Sequence, residues 1–225
     1  MKLIRHTLLL AGFACYTLPI IHAQEVEKTT TYQVKIDVDK PEFDDLESPD
    51  PPADTREKVW RQKDWLEMEV KFEIEAIKPE PRDKTLPKLT IKWFIVALDP
   101  TQKQKSYILL EKEVEHVNVP VGDEIYASCY ISPSGVRRLS NGGDRASKNI
   151  IFGVGGELYV EGQEEPVAFF TSKKDTVKVD GRKLPFWYAP NLAASTSVQI
   201  LDKSETPFQW LWWDRYAEIA PKEAK

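Results

Sequence analysis

The chain has 225 residues, a formal net charge of −5 at pH 7, and 41% hydrophobic residues. This length is enough for one elaborated domain or two small ones with a core of their own. The net negative charge argues against a protein that binds nucleic-acid phosphates, because that role requires clustered Lys and Arg.

Residues 1–23 have the layout of a secretory signal peptide. Lys2 and Arg5 form a basic start, residues 8–21 are an apolar run, and Ala23 offers a small residue for cleavage before Gln24. The run is shorter than the roughly 20 residues that a membrane-spanning helix needs. An uncleaved N-terminal anchor is the alternative. We therefore expect a mature chain, 24–225, with no transmembrane helix, exported to the periplasm, the outer-membrane surface or the medium.

Removal of residues 1–23 leaves His116 and Cys129 as the single histidine and cysteine. It also removes two basic residues and no acid, so the net charge moves from −5 to −7. A lone cysteine forms no internal disulfide, and one histidine with one cysteine does not make a structural zinc site. The mature fold must therefore depend on its apolar core.

Alternating apolar and polar residues predict strands along most of the mature chain. The clearest signal is 65–77, where every second residue is apolar, and the end of 89–98 is apolar on both faces, as in a central strand. Other strands are predicted over 31–38, 106–119, 124–131, 149–161, 167–171, 176–179 and 197–201. Glycines 153, 155 and 156 predict a bulge or a close backbone approach.

Two segments are predicted to leave the strand pattern. Residues 39–58 are rich in proline and acid, which predicts a long solvated loop rather than a calcium site, since the spacing of such sites is absent. Residues 132–139 predict a single helical turn, with Ser132 as the cap and Pro133 at the first helical position.

Roughly eight to ten short strands, separated by turns and without a long helix, are typical of an antiparallel sandwich or barrel. We predict an all-β, immunoglobulin-like antiparallel β-sandwich with one or two short helical turns. Residues 24–225 form a single domain in this prediction. It lacks the cysteine pair of antibody domains and the tryptophan that accompanies that pair.

Catalytic motifs are absent from the sequence. Histidine chemistry would depend on His116 alone, Cys129 lies at an apolar strand position, and no Gly-x-Ser-x-Gly elbow occurs. Acids are abundant, so a paired-carboxylate glycosidase is the remaining enzyme class, but abundance is not pairing. We predict a protein that is not an enzyme, with no catalytic, cofactor-binding or metal-binding residues and no cofactor.

Two aromatic stretches are candidates for binding. Trp187 and Tyr188 lie between Pro185 and Pro190, so they are predicted on a loop where an exposed pair suits a sugar ring or a protein partner. The alternative is a loop anchored by aromatic side chains that dip into the core.

The second stretch is residues 206–219, which contain three of the seven tryptophans. As a strand it would place Phe208, Trp210 and Trp212 on one face, either as a ligand platform or as an element that closes the core. A competing prediction for 210–219 is a terminal helix with turns over 214–218. We predict the closing role, with at least two of Trp210, Trp212 and Trp213 mostly buried. Truncation at Glu205 is then expected to unfold the protein.

The predicted signal peptide, the acidic proline-rich segment and the end of the chain, 204–216 (SETPFQWLWWDRY), carry a resemblance. The chain resembles the secreted immunoglobulin-like proteins of a verrucomicrobial gene cluster associated with type IV pili in mucin-degrading gut bacteria. The resemblance implies a non-enzymatic protein of pilus assembly or cell-surface adhesion, whose partners are pilus components or a host surface. It implies no list of site residues. The chain lacks the long apolar N-terminal helix of a type IV pilin, so we do not expect the main filament subunit.

Overall fold

The computed structural model describes residues 32–50, 61–79, 81, 83–102, 106–143 and 148–222. The predicted signal peptide lies outside these residues. Twelve strands and one α-helix occur in the described part of the chain. They are β1 (Gln33–Val38), β2 (Glu42–Glu47), β3 (Asp64–Lys78), β4 (Thr85–Leu98), β5 (Tyr107–Pro120), β6 (Glu124–Ile131), α1 (Pro133–Leu139), β7 (Ile151–Val160), β8 (Ala168–Thr171), β9 (Thr176–Val179), β10 (Arg182–Pro185), β11 (Ala193–Ala194) and β12 (Ile200–Asp202).

The strands form two five-stranded sheets and one separate hairpin, β9–β10. The first sheet has the order β1-β3-β6-β12, and β2 pairs with the part of β3 that β1 leaves uncovered. The second sheet has the order β11-β5-β4-β7-β8. The described strand pairs are antiparallel except the short β11, which runs parallel to β5.

This order follows the immunoglobulin fold. Strands β1, β3 and β6 correspond to A, B and E of one sheet, and β4, β7 and β8 correspond to C, F and G of the other, with β5 added beside C. The predicted all-β antiparallel sandwich is confirmed. One detail was wrong, because Trp93 of β4 is fully buried at the strand-C position and packs edge-on against Phe170, 4.9 Å between ring centroids. The immunoglobulin-type tryptophan is therefore present without the disulfide.

The core lies between the two sheets. Alternate side chains of β3 point into it, and all five from Leu66 to Ile74 are at most 2% exposed. Cys129 of β6 is also fully buried, as its apolar position predicts. Each large apolar side chain buried in this way contributes about 1.5–3 kcal/mol to folding. The α1 turn agrees with the prediction as well, since Ser132 Oγ accepts a hydrogen bond from Gly135 N at 3.3 Å.

A second apolar cluster covers the outer face of the second sheet. Residues 186–192 lie across this face, and Phe186 and Trp187 are buried against it. The glycines of β7 make room for them, because a Cβ at Gly155 would lie 2.1 Å from the Trp187 ring and one at Gly153 would lie 2.8 Å from Phe186. The close approach predicted from these glycines is confirmed.

The predicted loop 39–58 was partly wrong. Its residues 42–47 form β2, which pairs along the edge of β3, with Phe43 opposite Met68. Acidic residues fit an exposed edge strand, where charge discourages pairing with other chains, so their density did not exclude a strand here. Residues 51–58 lie outside the described part of the chain.

Candidate functional site: two aromatic surfaces

The tryptophan loop, defined as residues 206–216, is built from tight turns rather than from the predicted strand. Leu211 N donates to Phe208 O at 2.9 Å, and Arg215 N donates to Trp212 O at 3.0 Å. Trp212 adopts the left-handed conformation at φ 52°, and residues 213–215 form a 3-10 turn. The strand prediction was wrong because hydrogen bonds within the loop replace pairing with a neighbouring strand.

The predicted burial of the tryptophans was also wrong. Trp210 is 71% exposed, Trp212 53% and Trp213 54%, whereas Phe208 is 1% exposed. Phe208 stacks on Tyr130 and meets Trp65 edge-on, at centroid distances of 5.3 and 5.5 Å. One side chain of the stretch is therefore buried against the outer face of the first sheet, while its three indoles lie on the surface.

A buried lysine holds the inside of the loop. Lys203 is 5% exposed, and its Nζ donates to Phe208 O at 2.7 Å and to Leu211 O. The same Nζ lies 4.7 Å from the centroid of the Tyr216 ring. Burial lowers the pKa of the Lys203 ammonium. Hydrogen bonds from a charged donor are stronger than those between neutral groups, so these contacts fix the turn.

Two of the exposed rings, those of Trp210 and Trp213, are held in place as well. With its amide oriented to satisfy both neighbours, Gln209 donates to Ser204 O at 3.3 Å and accepts from Trp210 Nε1 at 3.0 Å. Trp210 stacks on Trp213, 5.7 Å between centroids and 29° between planes. A pocket of about 160 Å³ lies beside them. Its lining residues include Trp210, Trp213, Gln209, Ala217, Glu218 and Ile219.

The chain that follows the loop closes one side of the sandwich. Ala217 N donates to Tyr126 O of β6, and Val117 N of β5 donates to Glu218 O, at 2.8 and 2.9 Å. One short segment thus bonds to a strand from each sheet. Arg215 adds an ion pair with Glu69 of β3, 2.7 Å between Nη2 and Oε1.

A charged network fixes the start of the loop. Lys112 and Lys222 each contact the carboxylates of both Asp202 and Glu205, at N–O distances from 2.6 to 3.2 Å. Burial acts to raise the pKa of Asp202, but hydrogen bonds from Lys222 and Ser204 and the charge of Lys112 outweigh it and lower this pKa to about 2. Asp202 and Glu205 also form a reciprocal capping box around the 3-10 turn at 203–205.

The second aromatic surface contains the predicted pair Trp187 and Tyr188, which lie in a 3-10 turn on the outer face of the second sheet. Trp187 is 3% exposed and stacks on Phe94 at 5.4 Å, so this ring anchors the turn. Tyr188 is 43% exposed. Of the predicted pair, only Tyr188 presents its ring at the surface, and a binding role for the pair stays a prediction.

Tyr188 belongs to a cluster around Glu157, a β7 carboxylate that is 2% exposed. Glu157 accepts hydrogen bonds from the hydroxyls of Tyr159 and Tyr188, both at 2.6 Å, and from Trp187 Nε1 at 3.3 Å. Burial raises the pKa of Tyr188 to about 12. A shallow groove of about 440 Å³ lies above the cluster. In the sequence, Glu157 has the appearance of a solvent-facing strand acid, so the periodicity alone does not distinguish it.

Comparison with known proteins places the chain among relatives. A protein-family model matches residues 27–223. A crystal structure of a protein from Akkermansia muciniphila is 31% identical in sequence, with a TM-score of 0.73, over 85% of this chain and 96% of that chain. The chain belongs to this family. The match to the Akkermansia protein confirms the resemblance to a verrucomicrobial family. The pilus association and the signal peptide stay predictions. A comparison with curated proteins finds no match to the sequence.

In this family member, the single histidine and cysteine of residues 24–225 are both buried. His116 is 2% exposed, burial lowers its pKa to about 4, and its Nδ1 lies 3.3 Å from Ala217 O. Burial raises the pKa of the Cys129 thiol well above its usual range. At neutral pH these groups are therefore an uncharged imidazole and a protonated thiol.

Two absences are specific to the described ranges. There, no three His, Cys, Asp or Glu side chains are grouped so that they could hold a metal ion. Within the same ranges, no helix has the length and apolar character to cross a membrane.

Proposed function

We propose that the protein is an exported, non-enzymatic β-sandwich that binds a protein partner at the cell surface through the tryptophan loop. The observation that carries the proposal is three indoles that are more than half exposed, two of which, Trp210 and Trp213, are nevertheless held by specific contacts. Clustered exposed apolar residues are typical of interaction sites, and tryptophan is enriched among residues that dominate binding energy. A loop fixed before binding loses less entropy on association.

The proposed setting is type IV pilus assembly or adhesion. The resemblance carried by residues 204–216 supports it, as does membership in a family with a relative in Akkermansia muciniphila. The periplasm, the outer-membrane surface and the medium are all compartments in which such a partner would be met.

Cross-linking in cells tests this proposal. Chains carrying the natural residues, or alanine at positions 210, 212 and 213, are expressed with a purification tag in a host that makes the pilus. We expect pilus components to co-purify with the natural chain and to be lost with the triple variant. Ile77→Ala is the matched control, because Ile77 is 58% exposed on a different part of the surface. If no pilus component co-purifies or cross-links with the natural chain, the proposal fails.

A carbohydrate-binding module is the second candidate, supported by the groove beside Tyr188. The residues that line this groove include two tyrosines, two acids and a lysine, namely Tyr159, Tyr188, Glu111, Glu113 and Lys92. Aromatic faces with a few placed polar groups are the usual composition of small-ligand sites.

A glycan array combined with intrinsic tryptophan fluorescence tests the second candidate. Binding should be abolished by Tyr188→Ala and kept by the triple tryptophan variant. Trp187 is expected to report binding because its Nε1 donates to Glu157, which lines the groove. A blank array with unchanged emission removes this candidate.

A further inference from the structure

We propose that the pocket beside Trp210 and Trp213 receives one aromatic side chain of a protein partner, and that a basic residue follows or precedes that side chain in the partner. This inference rests on the proposed function, since it names the chemistry of the partner at the same loop. The pocket has a volume of about 160 Å³. Apolar cavities of about 150 Å³ in proteins hold benzene, so a phenyl ring fits a space of this size.

The lining favours an apolar group over a sugar. Its walls include the two indoles, Ala217 and Ile219. Apart from the exposed Glu218, polar groups at the pocket are already engaged within the protein: the Gln209 amide with Ser204 O and Trp210 Nε1, and the Lys203 ammonium with two backbone carbonyls. A sugar ring would bring hydroxyls that need partners of their own, and burying a hydroxyl without a partner costs free energy. A phenyl ring makes no such demand.

The hydroxyl groups of Tyr216 and Ser204, two further residues of the lining, are also hydrogen-bonded within the protein. The Tyr216 hydroxyl donates to Glu69, and the Ser204 hydroxyl donates to Asp202 Oδ1 at 2.5 Å. The Tyr216 hydroxyl therefore holds the loop to β3, and the Ser204 hydroxyl is used in the cap of the 203–205 turn. The surface that remains for recognition is the apolar surface of the two indole rings, with the exposed Glu218 carboxylate beside it.

Negative charge around the pocket favours a basic residue next to the aromatic side chain of the partner. Asp214, next to Trp213 in the chain, is exposed, and so is Glu218 in the lining. The cations close to them are engaged elsewhere, Arg215 with Glu69 and Lys222 with Asp202 and Glu205. The whole chain also carries a net charge of −5. Complementary charge favours a partner with Lys or Arg beside the ring and speeds its association.

Lys203 is the positioning residue of this pocket. Its ammonium bonds to the carbonyls of Phe208 and Leu211, which are the two ends of the turn that carries Trp210. Lys203→Met keeps the apolar stem of the side chain but removes the ammonium. The two carbonyls then lose their donor, and the turn is free to change the distance between Trp210 and Trp213.

The experiment uses the chain of residues 24–225 with ¹⁵N-labelled tryptophan and follows the indole N–H signals by NMR. The probes are N-acetyl-phenylalaninamide, the acetylated and amidated tripeptide Lys-Phe-Lys, and methyl β-glucoside. We expect both phenylalanine probes to shift the Trp210 and Trp213 signals in a saturable way and to leave those of Trp93 and Trp187 unchanged. The tripeptide is expected to bind several-fold more tightly at low salt, and this advantage should shrink as salt is added.

Variants then assign the site. Trp213→Ala and Lys203→Met should each weaken the tripeptide by about tenfold or more, as loss of an interface anchor does. Near-UV circular dichroism checks that Lys203→Met is folded, and Trp213→Ala, at a residue 54% exposed, serves as the second variant if it is not. The inference is overturned by the absence of saturable shifts with both phenylalanine probes. Equal shifts with the glucoside, or binding unaffected in both variants, overturn it as well.

Different results would refute the proposed function and the proposed pocket chemistry. If the tripeptide binds as expected but no cellular partner is captured, the proposed function fails and the pocket chemistry stands. If a partner is captured through the loop but the phenylalanine probes do not bind, the pocket chemistry alone is refuted.

Discussion

Phe208→Ala tests whether the terminal stretch consists of a buried anchor and an exposed tip. Phe208 is 1% exposed and contacts the rings of Tyr130 and Trp65. Removal of a buried phenylalanine side chain costs about 3–5 kcal/mol, which includes the loss of two aromatic contacts of about 0.5–1.5 kcal/mol each. A whole domain is stable by only about 5–15 kcal/mol, so we expect the variant to be severely destabilised.

Urea unfolding followed by far-UV circular dichroism measures this loss. With a slope of about 2 kcal/mol per molar urea, a loss of about 4 kcal/mol lowers the midpoint by about 2 M. Trp210→Ala is the matched control two residues away, at a side chain 71% exposed. Surface substitutions of this kind stay within about 0.5 kcal/mol. Equal losses from the two variants, or a loss below about 1 kcal/mol for Phe208→Ala, would refute the division of the stretch into a buried anchor and an exposed tip.

Three further predictions concern other parts of the fold. A chain truncated after Glu205 is expected to be unfolded by circular dichroism, because it loses Phe208 and the backbone bonds that join residues 217–220 to β5 and β6. Burial lowers the pKa of His116 to about 4 in the folded state, so protonation of this histidine favours the unfolded chain. The free energy of unfolding should therefore be independent of the His116 charge above pH 6.5. It should fall by about 3 kcal/mol as the pH decreases toward 4. Gly155→Ala should cost about 1–3 kcal/mol and shift tryptophan emission, because the new methyl group meets the Trp187 ring.

Each of these three predictions can be contradicted by a specific result. Cooperative unfolding of the truncated chain would show that the terminal segment is dispensable for closing the sandwich. His116→Gln should reduce the loss of stability between pH 6.5 and 4, and an unchanged profile would assign that loss to other groups. Glu67 has the opposite effect to His116 on the pH dependence of stability. Burial raises the pKa of Glu67, so its protonation favours the folded state and its contribution to stability grows as the pH falls. Unchanged emission and stability of Gly155→Ala would contradict the tight contact over β7.

Much of the strand content is readable from local pattern. The alternation in 65–77 predicted β3 and its inward face, and Ser132 with Pro133 predicted the start of α1. These signals work because the two-residue period of a strand and the geometry of a helix cap are properties of the local backbone. Segment β2 was missed, since its stability comes from pairing along the edge of β3 rather than from its own residues.

The candidate site was less predictable. Tyr188 was singled out from an aromatic pair between prolines, but Glu157, whose buried carboxylate holds both Tyr188 and Trp187, has no local signal. Lys203 likewise has the composition of a surface lysine until the chain folds back over it. Each of these polar groups acquires its role from partners that are distant in sequence or are brought near by a turn.

The sequence by itself determined that this protein is an all-β sandwich, because alternation of apolar and polar residues specifies strands and their core face wherever the backbone is extended. Only the tertiary structure decided which aromatic residues are inside. Trp187 is buried because Gly155 leaves space beneath it, and Phe208 is buried because Tyr130 and Trp65 meet it from the sandwich. Trp210, Trp212 and Trp213 are exposed because Lys203 folds their backbone into turns that no strand periodicity describes.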